Sequence, residues 1–239
     1  MKKIMSVQPS SKVCVVFGYG PGMGASCARR WIKGGFKVAI VARDPDKLRA
    51  FETKFGPDVT KGYPCDVTNR QQMERTISQI EADLGPIHTI IYNAGRGVFK
   101  KYTEVTEDDF ERCVNVNAKG LLMAAQLVCP KMEERGEGVV AITGAIAALR
   151  GKPFTPAFAA GKAAQRMVAQ SLARDLGPKN IHVFYVIIDG GVDQNEEIGQ
   201  QRPGMLDPNA VADTYWNLAQ QPKNCWGFEI DIRPNVENW

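Results

Sequence analysis

The sequence predicts a three-layer α/β fold, a doubly wound parallel sheet of about seven strands with helices on both faces. Apolar runs of strand length alternate with helix-length segments along the chain. Several runs, Val38-Ala-Ile-Val41 and Val183-Phe-Tyr-Val-Ile-Ile188 among them, are continuously apolar, the pattern of strands buried on both faces of a parallel sheet. Finally, Val13-Cys-Val-Val-Phe17 runs straight into Gly18-Tyr-Gly-Pro-Gly-Met-Gly24, and a helical stretch, Ala25 to Lys33, follows. Four glycines in seven residues allow a tight turn and a close backbone approach to a ligand. The helix behind them offers unpaired N–H groups and the positive end of its dipole, which suits a phosphate.

In chain order, the first strand is expected at 12–17 and its helix at 22–34. The second strand, 37–42, is followed by Asp44 as a helix cap and Pro45 at the first helical position of 45–55. A third strand at 59–64 leads through Asp66 to a helix at 69–84. The fourth, 87–92, ends at Asn93-Ala94-Gly95 and precedes a long helix at 107–134. Strand 137–143, helix 155–177, strand 181–188, helix 208–220 and strand 227–232 complete the pattern. Strands joined through helix-length segments pair in parallel by right-handed crossovers, a Rossmann-type arrangement. Gly190 to Met205 is the least regular stretch. It follows the C-terminal end of a core strand, where such sheets open their ligand crevice, and reads as a substrate loop. Residues 1–11 read as a flexible tail and 12–239 as one dinucleotide-binding domain, a size that a single core accommodates.

The net charge of +4 is spread along the chain, and its tightest pairs, Lys2-Lys3 and Lys100-Lys101, read as solvated surface rather than a nucleic-acid stripe. No apolar run reaches signal-peptide or membrane-spanning length, so neither a membrane nor secretion is expected. The six cysteines lie far apart without a CxxC or metal-ligand spacing, which points to reduced thiols, a cytoplasmic setting and no metal. His88 and His182 start strands, away from the expected cleft. Tyr215, Trp216, Trp226 and Trp239 read as core or subunit-contact aromatics.

Several chemistry-bearing residues fall at strand ends or on the following helices: Asp66-Val67, Tyr92-Asn93-Ala94-Gly95, Asn117 and Phe158-Ala-Ala-Gly-Lys162. With Gly18, Gly22 and Gly24, their order and spacing resemble the short-chain dehydrogenase/reductase family from roughly Lys12 to Arg233. The resemblance makes Gly18, Tyr19, Gly20, Gly22, Met23 and Gly24 the pyrophosphate loop. It sets Asp66 and Val67 at the adenine, Asn93, Ala94 and Gly95 at the sheet edge and ribose, and Gly190 and Val192 along the remaining cofactor path. It also implies a homodimer or homotetramer with contacts on the helices near 107–134 and 155–177, and a small-molecule carbonyl or alcohol substrate.

Cofactor choice turns on Val41-Ala42-Arg43-Asp44. An acid at position 42 would bind the ribose hydroxyls and repel a 2′-phosphate; Ala42 does neither, and Arg43 brings a guanidinium able to pair with that phosphate. This favours NADP over NAD. The competing readings are Asp44 as a helix cap and Arg43 as a solvated loop residue.

In the catalytic set the chain departs from the family pattern. Family members use a Tyr-x-x-x-Lys pair, a Ser at the preceding strand end and an Asn in the long helix. Lys162 and Asn117 stand at the matching places, but the tyrosine position is Phe158 and the serine position Ala145. Neither residue carries a proton or a hydrogen-bonding side-chain group, and losing a general acid costs ~10²–10⁴-fold in rate. Thr143, Thr155 and Asp189 are candidate substitutes, with a solvated or capping role as the competing reading of Asp189. Two functions follow: an NADPH-dependent oxidoreductase with an atypical proton relay, or a catalytically silent cofactor-binding protein acting as a sensor or assembly partner.

Overall fold

A computed structural model describes residues 12–195 and 202–238, so the tail expected at 1–11 and part of the expected substrate loop lie outside the described residues. The strands are β1 (Val13–Phe17), β2 (Lys37–Ala42), β3 (Thr60–Pro64), β4 (Ile87–Tyr92), β5 (Gly138–Thr143), β6 (Ile181–Ile188) and β7 (Glu229–Ile232). All pair in parallel, in the order β3-β2-β1-β4-β5-β6-β7. The order reverses between β1 and β4, and at such a switch point the connecting segments part and leave a crevice at the C-terminal strand ends.

Among the described residues seven α-helices cover the sheet: α1 (Met23–Lys33), α2 (Pro45–Phe55), α3 (Arg70–Leu84), α4 (Glu107–Val114), α5 (Gly120–Arg135), α6 (Pro156–Leu176) and α7 (Pro208–Ala219). Alternate strand residues serve opposite layers. Cys14, Val16, Val38, Ile40 and Phe184 pack with Trp31, Leu48, Phe51 and Tyr215 of α1, α2 and α7. Val13, Val15, Phe17, Val41 and Ile90 pack with Met73, Ile80, Leu121, Met132 and Ala169 of α3, α5 and α6. Double-sided burial is why these strands read as unbroken apolar runs, and each fully buried Val, Leu or Ile contributes about 1.5–3 kcal/mol.

Local chemistry sets the helix ends. Asp44 accepts from the N–H groups of Asp46 and Lys47, with Pro45 in the first turn; Asn69 caps α3 from its side chain, and Thr106 with Asp109 forms a capping box on α4. The helix expected at 107–134 is interrupted by a π turn over Asn115–Lys119. Asn117 Nδ2 donates to the Cys113 carbonyl at 2.8 Å, taking an acceptor that a regular turn would give to the backbone.

Candidate functional site

The crevice holds a cavity of about 940 Å³, lined among others by Gly18, Tyr19, Arg43, Asp66, Val67, Asn93, Ala94, Gly95 and Arg96. Gly18 and Tyr19 of the glycine loop line one side of it. Gly18 has φ +83°, and a Cβ there would stand 2.4 Å from Ala94 backbone atoms. Gly22 has φ +81°, and a Cβ would stand 2.6 Å from the Asp193 carbonyl oxygen. Both positions thus exclude a side chain by torsion and by space. Helix α1 starts at this loop with no acid in its first turn and, unlike α2, α3, α4 and α7, with no capping side chain. Such an end suits an anion.

On the cavity rim, Arg43 is exposed and has no ion pair among the described residues. Asp44 is engaged as the α2 cap and faces Lys47 at 3.6 Å. Its pKa lies below the usual carboxylate value, chiefly through the Lys47 backbone N–H. Asp66 folds its carboxylate onto the N–H and hydroxyl of Thr68, 2.9 and 2.8 Å away, in an Asx turn that shapes the loop after β3. Tyr19 sets its ring edge-on to Phe51 at 5.0 Å, tying the glycine loop to α2.

Behind the cavity lies a polar network. Asn93 Nδ2 donates to the Gly18 carbonyl at 2.9 Å, and its Oδ1 accepts from the Thr143 hydroxyl at 3.1 Å. Thr143 Oγ1 in turn accepts from Tyr215 at 3.0 Å. Lys162 Nζ, fully enclosed, donates to the Thr143 carbonyl at 2.7 Å and to Gln165 Oε1 at 3.0 Å. Burial lowers its pKa to about 7. Asn117 also donates to the Arg96 carbonyl at 2.9 Å, fixing the chain just after Gly95.

Phe158, in the first turn of α6, sets its ring 5.4 Å from that of Phe99; Ala145 is buried beside the short 3₁₀ turn Ile146–Ala148. Gly190, at φ +140°, packs against Pro234, and Val192 forms a bridge with Leu206.

The candidate substitutes are differently employed. The Thr143 hydroxyl is committed to Asn93 and Tyr215. Thr155 closes a local turn with the N–H and carbonyl of Lys152 at 2.8 and 3.1 Å. Asp189 is neither solvated nor a cap. It is 2% exposed and lies between Arg150, at 3.1 Å, and Arg233, at 3.5 Å. A lone acid at that depth would be costly, and the two guanidiniums from distant loops explain its burial.

A family model described as short chain dehydrogenase matches residues 12–197. An uncharacterized oxidoreductase of Staphylococcus aureus (strain N315) is 27% identical over 228 residues, covering 94% of this chain and 98% of the relative. The crystal structure of a short-chain dehydrogenase from Rhodopseudomonas palustris superposes with a TM-score of 0.82 at 32% identity, covering 95% of this chain and 100% of that one. An alcohol dehydrogenase from Thermococcus sibiricus, complexed with 5-hydroxy-NADP, reaches 0.85 at 21% identity, over 95% and 98% of the two chains. The chain belongs to the short-chain dehydrogenase family.

For this short-chain dehydrogenase the structure gathers Gly18, Tyr19, Arg43, Asp66, Val67, Asn93, Ala94 and Gly95 around one cavity, while Lys162, Asn117, Phe158 and Ala145 lie outside its lining. Sequence reasoning missed Gln165, Arg150 and the polar role of Tyr215. Gln165 had a signal, since it stands three residues after Lys162 on the same helical face. Arg150 and Tyr215 had none: each meets its partner through the fold rather than through a local pattern.

Proposed function

We propose that this short-chain dehydrogenase is an NADPH-dependent reductase of a small carbonyl compound. The observation that carries the reading is the cavity itself. Its glycine turn admits no side chain at Gly18 or Gly22, an exposed Arg43 lines the cavity, and the nearby Asp44 is committed to its helix. Gly18, Gly20, Gly22 and Gly24 with Tyr19 and Met23 would hold the pyrophosphate, Arg43 the 2′-phosphate and Asp66 with Val67 the adenine. Asn93, Ala94, Gly95 and Lys162 would hold the riboses, with Gly190 and Val192 toward the nicotinamide. When bound, the dinucleotide supplies a hydride. The chain itself must then position the carbonyl and provide a proton.

With Phe158 and Ala145 unable to donate, Lys162 is the group suited to hold that proton. Its amine is buried beside Gly95 and Asn117, and an ammonium with a pKa near 7 exchanges its proton readily at neutral pH. Asp189, already receiving Arg150, serves better as an acceptor that fixes the loop after β6. Phe99 and Phe158 offer the substrate an apolar wall. Exposed Phe110, Leu122 and Met167, on α4, α5 and α6, support assembly as a dimer or tetramer, whose mass light scattering reads.

Tryptophan quenching titrations test the cofactor assignment: NADPH is expected to bind more tightly than NADH, and Arg43→Ala to weaken NADPH ~10-fold or more while leaving NADH unchanged. Failure of both nucleotides to bind overturns the reading. Phe158 and Ala145 favour a second reading, cofactor binding without turnover. NADPH consumption over quinones, ketones and aldehydes separates the two; turnover only in the Phe158→Tyr, Ala145→Ser double variant establishes the silent binder.

A further inference from the structure

We propose that Tyr215 is a positioning residue for the dinucleotide, acting from α7 through Thr143 on both the glycine loop and Lys162. The inference rests on the cofactor reading above. Its basis is the direction of the hydrogen bonds. The Gly18 carbonyl can only accept, so Asn93 must present Nδ2 to it at 2.9 Å and turn Oδ1 the other way. That oxygen accepts from the Thr143 hydroxyl at 3.1 Å, which leaves Thr143 Oγ1 as an acceptor for Tyr215 at 3.0 Å. The phenol therefore heads a chain whose polarity is fixed at every link. Burial drives its pKa well up, so it remains a donor throughout the usable pH range.

Thr143 is also the residue on which Lys162 rests, its carbonyl accepting from Nζ at 2.7 Å. One residue thus joins the support of the loop at Gly18 to the support of the lysine on α6. Tyr215 is the side-chain contact that pins this junction from the opposite layer of the sheet. Without the phenol hydroxyl, Thr143 Oγ1 loses its donor and can rotate away, which leaves Asn93 Oδ1 without its partner and the Gly18 contact braced on one side only.

NADPH binding to the intact protein, read by its fluorescence alongside thermal melting, tests this. Tyr215→Phe, which keeps the ring, is expected to weaken NADPH ~10-fold. Thr143→Val should lose at least as much, the two changes together no more than Thr143→Val alone, and Thr143→Ser should restore binding. Leu218→Ala, a core truncation on the same helix, should lower the melting temperature and leave the affinity unchanged. Wild-type protein that binds neither nucleotide overturns the cofactor reading itself. Wild-type protein that binds NADPH overturns only the role of Tyr215 in any of three cases: if Tyr215→Phe binds equally well, if its loss adds in full to that of Thr143→Val, or if Leu218→Ala weakens binding as much. Should Tyr215→Phe fold poorly, Thr143→Ser against Thr143→Val decides alone, equal affinities counting against the proposal.

Discussion

Lys162 shows how one buried group couples stability to chemistry. Its side chain sits among Thr143, Gln165 and Gly95, where desolvation brings its pKa from the usual 10.5 to about 7. A lysine with a depressed pKa favours the unfolded state wherever that state is protonated and the folded one is not. Stability of the cofactor-free protein should therefore rise as pH increases from about 7 to 10.5. Lys162→Met is expected to stabilise the fold at pH 7 by on the order of a few kcal/mol, seen as a higher melting temperature, and to flatten that alkaline rise. The same variant should lose NADPH affinity. A melting temperature at or below wild type would show that the amine is better solvated than its enclosure implies. Arg43 and Asp44 present the opposite case, two exposed neighbours with separate tasks. The proline after Asp44 made its capping role legible in the sequence, and with Asp44 so occupied Arg43, like Arg96, lines the cavity without an ion pair among the described residues.

Among the elements, the inner strands β1, β2, β5 and β6 were the most legible, since their largely apolar runs follow directly from burial against helices on both sides. The glycine loop was equally plain, because a strand that meets closely spaced glycines before a helix has few alternatives. The π turn in the long helix was hidden. Periodicity reports which face is apolar, whereas this turn arises from one amide competing for one carbonyl. The clamp on Asp189 was hidden for a related reason: Arg150 and Arg233 lie far away in sequence and reach it only when β6 pairs with β5 on one side and β7 on the other. The two loops at the sheet edge meet at Gly22, against the Asp193 carbonyl. Gly22→Ala should cost roughly 1–3 kcal/mol from its positive φ alone, and more once the Asp193 backbone is displaced. Urea unfolding measures the loss. A cost below that range would mean the loop after β6 moves aside freely.

Across the whole molecule, acid tolerance depends on a histidine and an aspartate in the same sense but in successive pH windows. His88 is pushed down from 6.5 to about 4, first by burial and then by Lys12. The unfolded chain therefore takes up its proton before the folded one, and stability should decline as pH falls from 6.5 to 4. His88→Gln is expected to make the melting temperature flatter over that interval. Asp193, held at about 2 chiefly by the Arg202 N–H, keeps its contribution above the usual 3.8 and loses it only in stronger acid. Equal slopes for wild type and His88→Gln would exclude the histidine as the cause. Among the described residues no helix is long and apolar enough to cross a membrane, and no group of His, Cys, Asp or Glu gathers that could hold a metal ion. The contact between Asp193 and Gly22 carries one more consequence, a kinetic one. The backbone after β6 rests directly on the glycine turn, so an opening of either loop carries the other with it, and their amides should exchange with solvent in step.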